Sequence, residues 1–176
     1  MLKHADVIGT IDGIVTPKRV FGWVAYHIKL AAGKTYRVFS DEEIPRSEFG
    51  NIVFWTKGAL SLFHIDTTTQ LRDRRAGDLS TEFDNPVKGT VEFTALQDSE
   101  WWCFQHNINK YLVPNVQKVV LPANSTLSLP LNTKLFLCEG SAKLNGVDIV
   151  GPKAINVNKA QATLESTTDI YGLYFT

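Results

Sequence analysis

The side chains able to do chemistry are few and scattered. The chain of 176 residues carries four histidines, His4, His27, His64 and His106. No two of them form a His-x-His pair or an HExxH motif, so no local spacing brings two imidazoles to one point, as a bound metal requires. His64, close before Asp66, is the most that spacing provides: one ligand of an unusual site, or a strand histidine with a structural role. There is no GxSxG elbow and no phosphate-binding glycine loop, which leaves the common nucleophilic and phosphoryl-transfer motifs unrepresented. Arg72-Asp73-Arg74-Arg75 is the densest positive cluster. Such guanidinium groups can grip a phosphate or an acidic partner; the alternative is a solvated loop that Asp73 partly neutralises. Asp41-Glu42-Glu43 is a run of consecutive acids, which do not all face one site; the first turn of a short helix accounts for them.

Aromatic residues give the second set of candidates. Trp101 and Trp102 are adjacent, so on a strand one ring points to each face. One ring belongs to the core and the other meets a second sheet, a second lobe or another chain. Four Trp and ten Phe exceed what one small barrel needs, and aromatics anchor interfaces, so the surplus favours assembly. Trp101, Trp102, Arg72, Arg74 and Arg75 are therefore the candidate interaction residues, and no residue is assigned to catalysis, to a cofactor or to a metal.

Composition narrows the classes of function. The 18 Lys plus Arg balance 18 Asp plus Glu, and the net charge of zero removes the bulk electrostatic argument for nucleic acid or an anionic membrane. Hydrophobic residues at 44% and charged residues at 20% support a folded core. The N-terminus lacks the apolar stretch and small-residue site of a signal peptide, and no apolar run approaches the ~20 residues that span a bilayer. Cys103 and Cys138 have no CxxC spacing and read as buried free thiols of a chain made in a reducing cytoplasm.

The elements that must position these residues are strands. Tyr26, Ile28 and Leu30 alternate with polar residues in Trp23-Val24-Ala25-Tyr26-His27-Ile28-Lys29-Leu30 and share one face with Val24. Val91, Phe93 and Ala95 alternate with Thr90, Glu92 and Thr94, and the leucines at 127, 129 and 131 do the same. Asp12-Gly13 and Asn145-Gly146 are hairpin signals, and Ala32-Gly33, Ala76-Gly77, Lys88-Gly89 and Glu139-Gly140 mark further turns. The only helix predicted is a short one after Ser40, cut off by Pro45. Many short strands with regular turns predict an all-β sandwich or barrel.

An internal repeat organises these strands. Lys57-Gly58-Ala59-Leu60-Ser61-Leu62 aligns with Glu139-Gly140-Ser141-Ala142-Lys143-Leu144, and 94–104 aligns with 163–175, each a threonine-bearing strand, an acidic turn and an aromatic strand. This divides the chain into an N-terminal extension over 1–19, a first lobe over 20–112 and a smaller second lobe over 113–176.

On these residues the chain resembles the cupins, jelly-roll barrels built from two antiparallel sheets. The run from Leu121 to Ser125, followed by Leu137-Cys138-Glu139-Gly140-Ser141-Ala142-Lys143-Leu144-Asn145-Gly146, is similar to the acidic-glycine, strand, asparagine-glycine run of that family. Ala95-Leu96-Gln97-Asp98-Ser99-Glu100-Trp101-Trp102-Cys103-Phe104 resembles the last barrel strands of cupin-like virion structural proteins of tailed bacteriophages. The resemblance implies a cupin-like jelly roll in two tandem lobes. It also implies a non-enzymatic tail or capsid component that meets other virion proteins as a homo-oligomer, without nucleic acid, membrane or cofactor, and resides in the virion. The N-terminal extension is then the arm that docks on a neighbour.

Cupin enzymes hold a metal with a His-x-His pair, a Glu and a further His after a Pro-x-Gly turn. Neither 75–81 nor 151–156 supplies such a histidine. Metal-free sugar epimerases of the fold use a histidine paired with an acid as base, which makes His27 and His64, with Asp66 or Asp73, the candidates for that alternative. A small-ligand-binding module is the other alternative. A binding module needs a polar, open interior, whereas Tyr26, Trp55, Phe93 and Phe136 suggest a filled one.

Overall fold

The computed structural model describes residues 13–20, 23–40, 49–81, 89–107, 115–157 and 161–176. The short helix predicted after Ser40, and His4, lie outside them. The chain divides into two compact units, Met1–Val113 and Pro114–Thr176. Every element of the described residues is a strand.

Unit 1 contains β1 (Gly13–Val20), β2 (Trp23–Leu30), β3 (Thr35–Ser40), β4 (Phe49–Lys57), β5 (Ala59–His64), β6 (Thr69–Gln70), β7 (Arg74–Arg75), β8 (Leu79–Thr81), β9 (Gly89–Ala95) and β10 (Ser99–Asn107). One antiparallel sheet runs β1-β2-β10-β4-β8; the other runs β3-β9-β5-β6, with β7 also on β5. Residues 13–19, assigned by sequence to the N-terminal extension, are built into the first sheet as its edge strand, paired from Gly13 opposite Leu30 to Val20 opposite Trp23.

The two sheets enclose one core. Ile28 and Leu30 of β2, Val53 and Trp55 of β4 and Trp101 of β10 meet Tyr36 of β3, Leu60 and Leu62 of β5 and Ala95 of β9. Alternation on β2, β5 and β9 sends every second side chain inward, and β5 reads half-buried then buried along its whole length. β4 differs, because Ile52, Val53, Phe54, Trp55 and Thr56 are all buried and the strand is covered on both faces. The face of the first sheet that points away from the core carries buried Ala25, Ile52, Phe54, Trp102 and Phe104.

Unit 2 contains β11 (Val116–Leu121), β12 (Thr126–Leu129), β13 (Thr133–Glu139), β14 (Ser141–Leu144), β15 (Val147–Val150), β16 (Lys153–Val157), β17 (Ala162–Ser166) and β18 (Ile170–Phe175). Its sheets run β11-β18-β13-β16 and β12-β17-β14-β15, both from its own strands. They close on Val119, Leu129, Leu135, Leu137, Ile149, Leu164 and Ile170. Leu127 and Leu129 join that core as the alternation predicts, but Leu131 lies beyond the end of β12 and is exposed, because the chain has already turned.

The repeat seen in the sequence is visible as a shared corner. Gly58 and Gly140, both at positive φ, lie where an added Cβ would come within 2.3 Å of the carbonyl oxygens of Asp98 and Asp169 respectively. Those aspartates also do the same job: Asp98 accepts a hydrogen bond from the Ala32 amide and Asp169 one from the Ala123 amide, each at 2.9 Å. A glycine turn pressed against an acidic turn thus occurs once per unit, and the strand orders β2-β10-β4-β8 and β11-β18-β13-β16 correspond. Asn145 and Gly146 adopt φ of 49° and 80°, the left-handed pair of a type I′ hairpin between β14 and β15.

Candidate functional site

His27 and His64, the histidines whose side chains are described, go to different faces of unit 1; the side chain of His106 lies outside the described residues. His64 ends β5 in the inward-facing row and is buried. Its Nδ1 accepts the amide of Thr67 at 3.2 Å and lies 2.6 Å from the Thr67 hydroxyl. The imidazole thereby pins the turn that leads to β6, where Thr68 takes a φ of 51°. Asp66 does not meet it; that carboxylate accepts the Thr90 amide instead. Asp73 accepts a hydrogen bond from Gln70 Nε2 at 3.3 Å. Neither acid proposed as a histidine partner takes that role.

His27 does have an acid partner, and it is Glu100. Nε2 of His27 lies 3.0 Å from Oε2 of Glu100, and the imidazole stacks on Trp102 with centroids 4.3 Å apart and planes 4° from parallel. The register explains the grouping. His27 stands opposite Trp102, and Lys29 stands opposite Glu100, which in turn faces Lys57. The carboxylate sits between the two ammonium groups, at 3.4 Å from Lys29 Nζ and 3.7 Å from Lys57 Nζ. His27, Lys29, Glu100 and Trp102 lie on the face away from the core, because Ile28 and Trp101, their chain neighbours, point inward; the register irregularity between Glu100 and Trp101 brings Lys57 opposite Glu100. No sequence spacing could have paired His27 with Glu100, since they lie on separate strands 73 residues apart.

Burial holds the His27 pKa below the usual 6.5, outweighing the attraction of Glu100, which raises it. The sign of the consequence follows from proton linkage. As pH falls below 6.5 the unfolded chain binds a proton at this imidazole while the folded chain does not, so stability drops until pH passes the folded value. His27→Gln is expected to flatten the pH dependence of the urea midpoint below pH 6.5 relative to the wild type. An unchanged slope would mean that another group carries it.

The interior of unit 1 is graded. Leu30, Ile28, Trp101, Leu60 and Ala95 form a fully buried apolar floor. Towards the other end, Tyr26 and Cys103 stand opposite one another in the first sheet, and Tyr36 opposite Phe93 in the second. Tyr26, Phe93 and Cys103 are only half-buried, and His64 follows Leu62 in the same inward row. Phe93 stacks on Trp101 at 6.0 Å, and the Tyr36 ring meets both of them edge-on. Burial, with a smaller contribution from Cys103, pushes the Tyr36 phenol up to about 12, so it remains a neutral hydroxyl. The interior is neither the wholly filled one that the sequence suggests nor an open polar one. Aromatic walls carry two phenols, a thiol and an imidazole at one end.

The arginine cluster is sorted by register. Arg74 pairs with Leu60, whose side chain is in the core, so Arg74 points inward, whereas Arg75 pairs with Ala59 and is exposed. The Arg74 guanidinium carbon lies 5.0 Å from the centroid of the Trp55 ring, a cation–π contact. A tight turn fixes the corner: Gly77 donates to the Trp55 carbonyl at 2.8 Å and the Trp55 amide donates to the Asp78 carbonyl at 3.0 Å. Among the described residues two buried side-chain donors are left without an acceptor, Trp55 Nε1 and Arg74 Nε. A buried donor left so costs roughly 1–3 kcal/mol. Arg72 is exposed, and Trp101 and Trp102 are both buried, on opposite faces of the first sheet.

The described residues do not fit the cupin metal. His27 and His64 belong to opposite faces, His64 Nδ1 is taken by Thr67, and no group of three His, Cys, Asp or Glu side chains gathers among the described residues. Neither Cys103 nor Cys138 is in a disulfide. Among the described residues no helix is long and apolar enough to cross a membrane.

Neither a protein-family profile nor any curated protein matches the chain. Similar solved structures define its fold as that of the cupins. Quercetin 2,3-dioxygenase from Acinetobacter baumannii is similar over 92% of this chain and 79% of its own, with a TM-score of 0.58 and 10% identity. The protein YhaK from Escherichia coli is similar over 96% of this chain and 86% of its own, with a TM-score of 0.55 and 11% identity. The bacterial pirin YhhW in complex with nickel(II), also from Escherichia coli, is similar over 93% of this chain and 82% of its own, with a TM-score of 0.54 and 11% identity.

These likenesses correct one expectation. The chain was expected not to be an enzyme because familiar motifs are missing, yet its fold is shared with a dioxygenase. At 10% identity that likeness shows the fold alone, so missing motifs give no ground for excluding catalysis. Nothing in the likenesses links the chain to virion proteins.

Proposed function

We propose that this chain is a cupin-fold protein that binds a small molecule inside unit 1. The observation that carries the reading is the graded interior, in which Tyr26, Tyr36, Cys103 and His64 face inward above a closed apolar floor. Small-molecule sites have this make-up: mostly apolar and aromatic walls with a few convergent polar groups that orient the ligand. The cupin fold of the similar structures supports the same choice over a structural role in a virion.

The His27–Glu100 pair cannot act on a molecule held there. It projects from the opposite face of the same strands, which speaks against the sugar-epimerase alternative with this dyad as its base.

Ligand-observed NMR with benzoate, benzamide and benzyl alcohol tests the reading, with the fluorescence of Trp55 and Trp101 as a second readout. At least one of the three is expected to bind with one-to-one stoichiometry. Cys103→Phe, which fills the half-buried end, is expected to weaken that binding at least tenfold while the chain stays folded. Binding by none of them, or binding indifferent to Cys103→Phe, would overturn the proposal.

A further inference from the structure

Within that reading, on which this inference rests, the chemistry of the ligand is narrowed by one corner of the interior. We infer that the molecule carries a carboxylate, recognised by Arg74 with the indole N–H of Trp55. Three observations converge on it. Arg74 is aimed inward by its pairing with Leu60, although it stands in the densest positive cluster of the chain. It is half-buried against Trp55, and among the described residues no carboxylate pairs with it. Among the described residues Trp55 Nε1 and Arg74 Nε are the buried side-chain donors left without an acceptor, and both belong to this one cation–π pair.

A half-buried cation whose own Nε–H is unused, beside an unused indole N–H, is complementary to an anion with acceptor oxygens, and a planar guanidinium matches a carboxylate in particular. The surroundings limit the rest of the molecule. Trp55 belongs to the same packed cluster as Val53, Leu62, Trp101 and Phe93, so the body attached to the carboxylate is apolar or aromatic and compact. Trp55 lies two residues along β4 from Val53, and Val53 stands opposite Cys103. The corner is therefore one inward-facing position away from the half-buried end, within the span of a single-ring acid. The turn at 75–78 holds the corner in place before any ligand arrives: Arg75 donates its amide to Asp78 Oδ2 at 3.0 Å, and the Asp78 amide returns to the Arg75 carbonyl at 3.0 Å.

The experiment compares benzoate with benzamide and benzyl alcohol on the full chain, on Arg74→Gln, on Arg74→Lys and on Trp55→Phe. Fold is checked for each variant by its thermal midpoint. Benzoate is expected to bind the wild type at least tenfold more tightly than benzamide. Arg74→Gln should remove that preference while leaving the affinity for benzyl alcohol within twofold, Arg74→Lys should restore part of it, and Trp55→Phe should reduce it. If the three molecules bind the wild type alike, or the preference survives Arg74→Gln, interior binding stands and carboxylate recognition is overturned, the two donors then being satisfied by water. If none of the three binds, the interior reading falls and this inference falls with it. If Arg74→Gln and Trp55→Phe do not fold, Arg74→Lys and the wild-type ranking of benzoate over benzamide still decide the matter.

Discussion

Replacing Gly140 with alanine is expected to destabilise the chain by roughly 3–4 kcal/mol. Two effects act together. Gly140 has a φ of +93°, a conformation that costs an L side chain about 1–2 kcal/mol. In addition, the new Cβ would fall 2.3 Å from the Asp169 carbonyl oxygen and 2.9 Å from the Ile170 side chain, and backbone cannot swing aside as a flexible side chain can. Displacing it disturbs the bulge where β13 meets β18 and the hydrogen bond from the Ala123 amide to Asp169. Gly58→Ala should behave alike, since its Cβ would meet the Asp98 carbonyl oxygen at the same 2.3 Å. The control is Gly146→Ala: φ is +80° there but nothing lies within 4 Å, so only the conformational cost of about 1–2 kcal/mol applies. Urea unfolding of the three variants measures the difference. Equal losses at Gly140 and Gly146 would mean that the glycine corner tolerates a side chain and does not hold the acidic turn.

Trp101→Ala is the other change with a large expected effect, a loss of about 3–5 kcal/mol. The ring is buried, stacks with Phe93 and meets Tyr36 edge-on, so it joins the two sheets of unit 1 at the centre of the core. Removing it deletes a large apolar surface and leaves a cavity that rigid strands fill poorly. Trp101→Phe keeps most of the volume and is expected to lose less than half as much. Calorimetry on both variants checks this. A Trp101→Ala loss under about 1 kcal/mol would show that the interior collapses around the gap and is less rigid than its packing suggests. Against a usual domain stability of ~5–15 kcal/mol, either the glycine or the tryptophan change consumes much of the margin.

Arg74 and Arg75 show how little of the candidate site was legible locally. Adjacent in sequence and identical in type, they read as one cluster of candidate interaction residues, yet pairing of Arg74 with Leu60 and Arg75 with Ala59 turns one inward and the other out. The same is true of His27. The sequence offers Asp66 or Asp73 as its acid, whereas β2 and β10 bring Glu100 to it. Trp55 carries no local signal for an unpaired indole N–H, because that depends on what the other sheet presents.

The amino-acid sequence by itself determined the local geometry: strands from the alternation of Tyr26, Ile28 and Leu30, the type I′ hairpin from Asn145-Gly146, and the twofold glycine-and-acid corner. Each of these is encoded within a few residues, because side-chain direction alternates along a strand and positive φ favours glycine and asparagine. Only the tertiary structure decided which faces are covered. Ile52-Val53-Phe54-Trp55 and Leu135-Phe136-Leu137-Cys138 have no alternation to read, being buried on both sides. It alone also joined β1 to the sheet, separated His27 from the interior and aimed Arg74 at Trp55. Those outcomes depend on the register between distant strands, and a shift of one residue would have sent every side chain to the opposite face.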